Sequence, residues 1–210
     1  MPQSRRVFLV GTTLLLSGAC REHEAEVTPA EDLMQEHGVL ERVLLIYEEA
    51  TRRMREAQTL DVSVVARAAD IVKRFVEQYH EHNEERFVFP RLEQAKRESK
   101  LVATLRLQHE RGRVLTSQIV SLTARGASTE LASALTAFGR MYRPHAARED
   151  TVLFPAFREL LGDSAYRELG EQLEDEEHAH FGEQGFEKVV AEVATLEQAL
   201  GIDDLTRVTP

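Results

Sequence analysis

His80–Pro90 reads HEHNEERFVFP and His145–Pro155 reads HAAREDTVLFP, two versions of one eleven-residue pattern. Each version begins with a histidine, has a glutamate four residues later and a second acid directly after it, and ends in Phe-Pro. Residues four apart lie on the same face of a helix, so the first histidine and the glutamate of each version point the same way. The repetition predicts one site built from two similar helical halves.

The apolar residues around this pattern recur at helical spacing and predict an all-α fold. Helices are expected at about residues 28–57, 61–95, 98–124 and 129–161, with a further helical segment from about 162 to 200. Short connections make neighbouring helices antiparallel, so the sequence predicts an up-down-up-down four-helix bundle with an additional C-terminal helix. Pro90, Pro144 and Pro155 are expected to bend or locally break their helices, because proline lacks an amide hydrogen.

Four histidines lie on the inward stripes of these four helices. Neighbouring histidines are nearly equally far from the turn between their helices, and at 1.5 Å of rise per residue the mismatches are only a few ångströms. The two glutamates of the repeated pattern lie one turn from their histidines. One layer of the core is therefore expected to contain His37, His80, Glu84, His109, His145 and Glu149.

Buried carboxylates need partners, because an unpaired charge in a dry core costs several kcal/mol or takes up a proton. Two cations would remove this cost, with imidazole nitrogens as terminal ligands and the carboxylates as bridges. Nitrogen and oxygen donors without thiolate suit iron or manganese, and also zinc. The competing interpretation is that ordinary hydrogen bonds satisfy the histidines.

This order of residues, with His-x-x-x-Glu on the second and fourth helices, resembles the hemerythrin-like (HHE cation-binding) family. The resemblance covers about residues 30–200, including the Phe-Pro ends and the later segment FGEQGFEKVV. It implies a non-haem di-iron centre with an oxo or hydroxo bridge, manganese or zinc being less expected. The implied terminal ligands are His37, His80, His109 and His145, and the implied bridges are Glu84 and Glu149.

The chain departs from the oxygen-carrying members of this family at one place. Those members have a further histidine four residues after the third-helix ligand, where this chain has Arg113. More open coordination is therefore expected, with Glu81, Arg113 and Tyr142 beside the metals. Arg113 either turns inward to a bound anion or is a solvated helix residue. Three further histidines, His82, His178 and His180, are expected on solvent-exposed faces.

The predicted function is the binding, sensing or detoxification of oxygen species, the ligand being a diatomic molecule or peroxide. Peroxide-consuming, catalase-like or peroxidase-like activity would fit open coordination. An iron storage or delivery protein, or a structural bundle with zinc, is the alternative. The 36 acidic and 26 basic residues give a formal charge of −10, which argues against a nucleic-acid surface.

The first twenty residues, MPQSRRVFLVGTTLLLSGAC, have the layout of an export signal. The run from Ser4 to Leu9, with Arg5 and Arg6, resembles the twin-arginine motif, and Ser17–Cys20 resembles a lipobox. The sequence thus predicts a signal at 1–19, a linker at 20–28, a bundle at 29–200 and a tail at 201–210. The protein is expected in the periplasm or cell envelope, anchored to a membrane through a lipid on Cys20. An ordinary signal peptidase site and an uncleaved anchor helix remain alternatives.

Overall fold

The computed structural model describes residues 27–209, and within this range every regular element is helical. The elements are α1 (Pro29–Arg55), α2 (62–94), α3 (Ser99–Thr123), α4 (129–160), α5 (Asp163–Phe181) and α6 (Gly185–Leu200), followed by a 3-10 turn at Leu205–Val208. None of the helices in the described range is both long and apolar enough to cross a membrane. The predicted signal residues Arg5 and Arg6 and the predicted lipidation residue Cys20 lie outside the described residues.

Local sequence determines where the long helices begin. Thr28 and Glu31 form a capping box at α1, in which the Thr28 side chain accepts from the Glu31 amide and the Glu31 carboxylate accepts from the Thr28 amide. The Asp61 carboxylate accepts from the Ser63 amide at the start of α2, and Ser128 caps α4 in the same manner. These caps satisfy amides that have no partner within the helix.

Two of the helices change their winding around the site. α2 consists of α-helical Val62–Ile71, π-helical Val72–His80, α-helical Glu81–Asn83, π-helical Glu84–Val88 and α-helical Phe89–Gln94. α4 consists of α-helical Thr129–Arg148, π-helical Glu149–Leu153 and α-helical Phe154–Leu160. Insertions of π-helical turns into α-helices often occur at functional sites.

The Phe-Pro ends of the repeated pattern explain the position of two π-helical turns. The Phe89 amide donates to the Glu84 carbonyl and the Phe154 amide donates to the Glu149 carbonyl, five residues earlier in both cases. A proline ring clashes with the carbonyl four residues before it in an α-helix, and the wider turn accommodates the ring without ending the helix. Pro144, in contrast, lies inside an uninterrupted α-helical stretch.

The C-terminal region differs from the single helical segment that the sequence predicts. α5 ends at Phe181 and α6 begins at Gly185, so the region contains two helices. Gly182 has a φ of 71° and Gln184 has a φ of 58°. Positive φ angles interrupt a right-handed helix, and glycine adopts them at little cost.

The helices pack as a bundle around two apolar clusters. α1 and α3 each pack against both α2 and α4, and α6 covers α1 and α2. One cluster includes Leu44, Phe75 and Phe138, and the other includes Leu33, Phe89 and Phe157. Along each of the four long helices the inward histidine lies between residues of the two clusters, so the histidine layer crosses the middle of the core.

Candidate metal centre

The structure brings the six predicted residues together in the middle of the bundle. All are buried, with exposed fractions between 0% and 3%. The rings pair across neighbouring helices, with centroid separations of 4.7 Å for His37 and His80 and of 5.0 Å for His109 and His145. The two pairs define two halves of one site, called below the first half (His37 and His80) and the second half (His109 and His145).

Both glutamates lie between these halves. Glu149 Oε2 is 3.3 Å from His37 Nε2 and 3.0 Å from His145 Nε2. Glu84 Oε2 is 3.6 Å from His80 Nε2 and 3.5 Å from His109 Nε2. Each carboxylate therefore contacts one imidazole from each half, which is the position of a bridge.

The donor atoms fit a pair of cations. The possible ligands form two overlapping groups. One group contains the first half and the other the second half, and both include the two glutamates. Within each group the ligand atoms lie within 4.8 Å of one another. Both carboxylate oxygens of Glu84 and of Glu149, together with His37 Nε2, are buried and lack a hydrogen-bond partner. Buried polar atoms rarely remain unpaired, so these atoms are expected to be satisfied by ions.

The opposite nitrogen of every ring is held by a residue that the sequence did not assign. Nδ1 of His80 is 2.7 Å from Glu36 Oε2, and Nδ1 of His145 is 3.0 Å from Gln108 Oε1. These two partners directly precede the other two histidines in the sequence. Such bonds fix the ring orientation and direct Nε2 toward the centre.

The second acid of each repeated pattern holds the remaining two rings. Asp150 Oδ1 is 2.7 Å from His37 Nδ1, and Glu85 Oε1 is 2.9 Å from His109 Nδ1. The acid that follows the glutamate in both versions of the pattern was a signal in the sequence for this role. Glu36 and Gln108 carried no comparable signal, because their positions depend on how neighbouring helices cross.

Aromatic rings close the side of the layer toward the Phe-Pro ends. Phe154 stacks on His37 with centroids 5.6 Å apart, and Phe89 stacks on His109 at 5.4 Å. The two phenylalanines belong to the apolar cluster on that side and are fully buried. The repeated pattern therefore supplies ligands, their orienting acids and an apolar wall.

The other side of the layer is polar in the second half. The Tyr142 hydroxyl donates to Glu81 Oε1 at 2.6 Å, and Arg113 forms ion pairs with Glu81 at 3.0 Å and with Glu85 at 2.7 Å. The Arg113 side chain is 37% exposed and is thus neither fully solvated nor free to bind an anion. A Cβ on Gly112 would lie 1.8 Å from the Tyr142 hydroxyl, so glycine makes room for this tyrosine.

In the protein without metal, burial and the neighbouring acids raise the pKa values of some residues of the site and lower those of others. Burial lowers the pKa of His109 to about 4, and burial also lowers the pKa of His80 well below its ordinary value. Burial disfavours charge on His37 too, yet its hydrogen bond to Asp150 and the adjacent Glu149 carboxylate raise its pKa to about 9. Burial raises the pKa of Glu84 well above its ordinary value. Without a metal, this site therefore binds protons that a metal ion would have to displace.

The other three histidines among residues 27–209 lie apart from this centre. His82 and His180 are exposed and His178 is half-buried, and the candidate cation groups within residues 27–209 include none of them. His180 Nδ1 bonds to the Glu176 carbonyl at 2.9 Å. His82 and His180 are solvent-exposed as expected, whereas His178 is exposed only in part.

Residues 28–157 match the model of the hemerythrin HHE cation binding domain. The chain belongs to this family. The match covers all six residues of the candidate centre, and cation binding by this His and Glu cluster agrees with the family's description.

Three curated relatives from mycobacteria are similar over most of this hemerythrin-family chain. They are uncharacterized proteins of Mycobacterium bovis and of two Mycobacterium tuberculosis strains, and each is 46% identical over 195 residues. The similarity covers 90% of this chain and 76% of each relative. No solved structure matches the chain significantly.

Proposed function

We propose that this protein holds a non-haem di-iron centre in the histidine layer. The observation that carries the proposal is the position of the two glutamates, each within 3.6 Å of an imidazole nitrogen from both halves. One ion beside each histidine pair would be joined by both carboxylates. The proposed ligands are His37, His80, Glu84, His109, His145 and Glu149.

The bundle that carries this centre is inferred to run up-down-up-down, with α5 and α6 as additional C-terminal helices. Short connections join α1 to α4 in order, and each of these helices packs against its neighbours in sequence. This arrangement supports the placement of four histidines at one height, because successive antiparallel helices bring residues equidistant from a turn together.

The donor set favours iron over the alternatives. Imidazole and carboxylate ligands suit iron, manganese and zinc, and the lack of thiolate ligands removes the softer choices. Three of the four imidazoles bond to a carboxylate through Nδ1, which raises their basicity toward the ion. Two bridging carboxylates and electron-rich imidazoles together favour a pair of highly charged ions.

The proposed reaction is with oxygen species. The centre is proposed to consume hydrogen peroxide and not to carry oxygen reversibly. An iron pair, when bound, would supply the exchange of two electrons, so that one peroxide molecule is reduced to water while a second is oxidised to dioxygen and no other reductant is needed. The chain itself excludes water on one side through Phe89 and Phe154, and on the other side it presents the Tyr142 hydroxyl bonded to Glu81. Arg113 stands where oxygen carriers have a ligand, so fewer protein donors close the second half.

Metal analysis, spectroscopy and rapid mixing test this function. Protein purified with its native metal is expected to contain two irons per chain and to absorb in the near ultraviolet and visible. Steady-state assays are expected to show peroxide consumption, and mixing the reduced protein with oxygen should give no long-lived complex. A spectrally silent zinc protein would contradict the iron centre. A reversible oxygen complex without peroxide turnover would leave the iron centre and contradict the reaction.

We also propose export and lipid anchoring, on the N-terminal sequence alone. Replacing both Arg5 and Arg6 by lysine is expected to leave the precursor in the cytoplasm, and Cys20→Ala is expected to abolish labelling by a fatty-acid analogue. Cell fractionation and lipid labelling measure the two effects separately. Secretion of unlabelled wild-type protein would contradict lipidation while leaving export intact.

A further inference from the structure

A groove lies between the C-terminal half of α1 and the N-terminal half of α4, away from the histidine layer. It is lined by residues on one face of α1 between Leu44 and Glu56 and of α4 between Leu135 and Arg143, and its volume is about 550 Å³. Cavities of a few hundred cubic ångströms commonly hold small ligands. This groove is called the distal groove below.

Two buried hydroxyls line the distal groove without a partner. Tyr47 is 1% exposed and Thr51 is 6% exposed, and neither side-chain oxygen has a hydrogen-bond partner. Helical threonines elsewhere, such as Thr136 and Thr104, donate to the carbonyl four residues earlier. Thr51 lacks that bond, so its hydroxyl is the unpaired donor beside the groove, whereas the Tyr47 hydroxyl lies toward Glu77, whose charge raises the pKa of this tyrosine together with burial.

Arginines without carboxylate partners stand at the rim next to these hydroxyls. Arg55 bonds only to the Thr136 hydroxyl, and Arg140 has no partner among residues 27–209. Arg55 is one helical turn from Thr51, and Arg140 is one turn from Thr136, so the two cations lie on the same stretch of rim. The other two arginines of the groove, Arg52 and Arg143, are paired with glutamates.

The helix dipole accounts for only part of this charge. Basic residues in the last turn of α1 complement the negative end of that helix, which explains Arg55. It does not explain Arg140, which lies in the interior of α4, nor the unpartnered hydroxyls. Arg140, together with Arg55, whose only side-chain partner is a neutral hydroxyl, gives the groove a local excess of positive charge in a chain of formal charge −10, and this favours an anion.

Part of the groove wall between these charged residues is apolar. Leu44 and Leu135 contribute to its walls, and both are buried in the core cluster. Gly139 also lines it, and a Cβ added there would meet no atom within 4 Å. A short hydrocarbon chain therefore finds an apolar surface and free space beside the polar end.

We propose that the distal groove binds a small amphipathic anion. Arg55 and Arg140 hold a carboxylate or phosphate head group, and the Thr51 hydroxyl donates to one of its oxygens. The apolar tail lies over Leu44 and Leu135 in the space left by Gly139. This site is independent of the metal centre, since no proposed metal ligand lines it.

Calorimetric titration of the full chain with octanoate and octyl phosphate tests the proposal, with octanol and acetate as comparisons. Both anionic amphiphiles are expected to bind one per chain. Octanol, which has the tail without the charge, and acetate, which has the charge without the tail, are each expected to bind at least tenfold more weakly. Equal affinity for octanol and octanoate, or the absence of any binding at millimolar concentration, would overturn the proposal.

Substitutions locate the binding in the groove. Gly139→Leu fills open space and is expected to abolish binding, while helical content and metal content stay unchanged. Arg140→Gln is expected to weaken octanoate binding about tenfold, and Arg111→Gln, a matched change of an exposed arginine on α3, is expected to have no effect. Wild-type affinity in Gly139→Leu would place the ligand elsewhere and refute the site.

Discussion

The two halves of the candidate centre have the same ligands but different surroundings. In the first half both rings bond through Nδ1 to carboxylates, Glu36 and Asp150. In the second half one ring bonds to the neutral Gln108, and the carboxylate that holds the other, Glu85, is shared with Arg113. An imidazole bonded to a carboxylate is the more basic ligand, so the first half is the more electron-rich site.

In the proposed di-iron centre, the duplicated pattern would therefore not hold two equivalent ions. The metal-free protein already shows the inequality at two residues that occupy corresponding places. Burial acts against charge on His37, but its hydrogen bond to Asp150 and the adjacent Glu149 carboxylate raise its pKa to about 9, whereas burial lowers the pKa of His109 to about 4. We therefore expect the ion of the second half to leave first and to be reduced first.

Removing a bridge should have the largest effect. Because Glu149 contacts an imidazole in each half, Glu149→Ala is expected to remove both ions and to lower the melting temperature markedly. Glu84→Ala should behave in the same way, and His82→Ala, at an exposed histidine, is the control. The measurement is metal content per chain with thermal unfolding. Retention of one tightly bound ion in either glutamate variant would show that the carboxylates do not bridge.

The second prediction is that metal affinity and the stability of the metal-free protein change with pH in opposite directions. Because the pKa of His37 is raised to about 9, its imidazole holds a proton at pH 7 that an ion must displace, and the raised pKa of Glu84 acts in the same direction. Metal affinity should therefore rise with pH from about 6 to 9.

Stability of the metal-free protein should change in the other direction. The pKa of His37 rises from 6.5 when unfolded to about 9 when folded, so its stabilising contribution is complete below 6.5 and is lost as the pH approaches 9. The raised pKa of Glu84 acts with the same sign above 4.5. Melting temperatures measured between pH 6.5 and 9 should fall without metal and hold steady with it. A metal-free protein that gains stability over this range would contradict these assignments.

Exchanging the residues that orient the rings should reduce the difference in metal affinity between the two halves. Glu36→Gln gives the first half the amide that the second half has, and an affinity loss of about 10- to 100-fold is expected for its ion. Gln108→Glu should strengthen binding in the second half. Stepwise metal titration measures both constants. If each variant changes the two halves equally, the orienting residues do not set the inequality.

Much of this centre could be predicted from the sequence because helical period and turn length are local properties. They placed the ends of the four long helices within about two residues of those observed, and they brought His37, His80, His109 and His145 to one height. The sequence could not predict which residues orient the imidazole rings. Glu36 and Gln108 contact a neighbouring helix, and which residue faces that helix depends on the crossing of the two axes.

The π-helical turns and the divided C-terminal region were missed for different reasons. The three prolines were expected to act alike, but only Pro90 and Pro155 follow π-helical turns, while Pro144 lies in continuous α-helix. Composition alone does not distinguish them. The break after α5 depends on Gly182 taking a positive φ, and a glycine inside a helical pattern does not by itself require this.

The smallest expected effect concerns the cluster of Tyr142, Glu81 and Arg113 beside the second half. Gly112 lies three residues after His109, and Leu40 occupies the corresponding place after His37. A methyl group on Gly112 would overlap the Tyr142 hydroxyl at 1.8 Å and displace it from Glu81. Gly112→Ala should therefore cost about 1–3 kcal/mol of unfolding free energy, despite the better helix propensity of alanine.

Gly139→Ala provides the matched control, because an added Cβ there meets open space. It should raise the unfolding free energy by about 0.5–1 kcal/mol. Chemical denaturation measures both values, and metal titration of Gly112→Ala should show a change confined to the second half. If the two alanine variants are equally stable, the contact between Gly112 and Tyr142 does not constrain the site. If the metal affinity of the first half changes as much, the polar cluster acts on the whole centre. The difference between the halves must then arise from Glu36 and Gln108 alone.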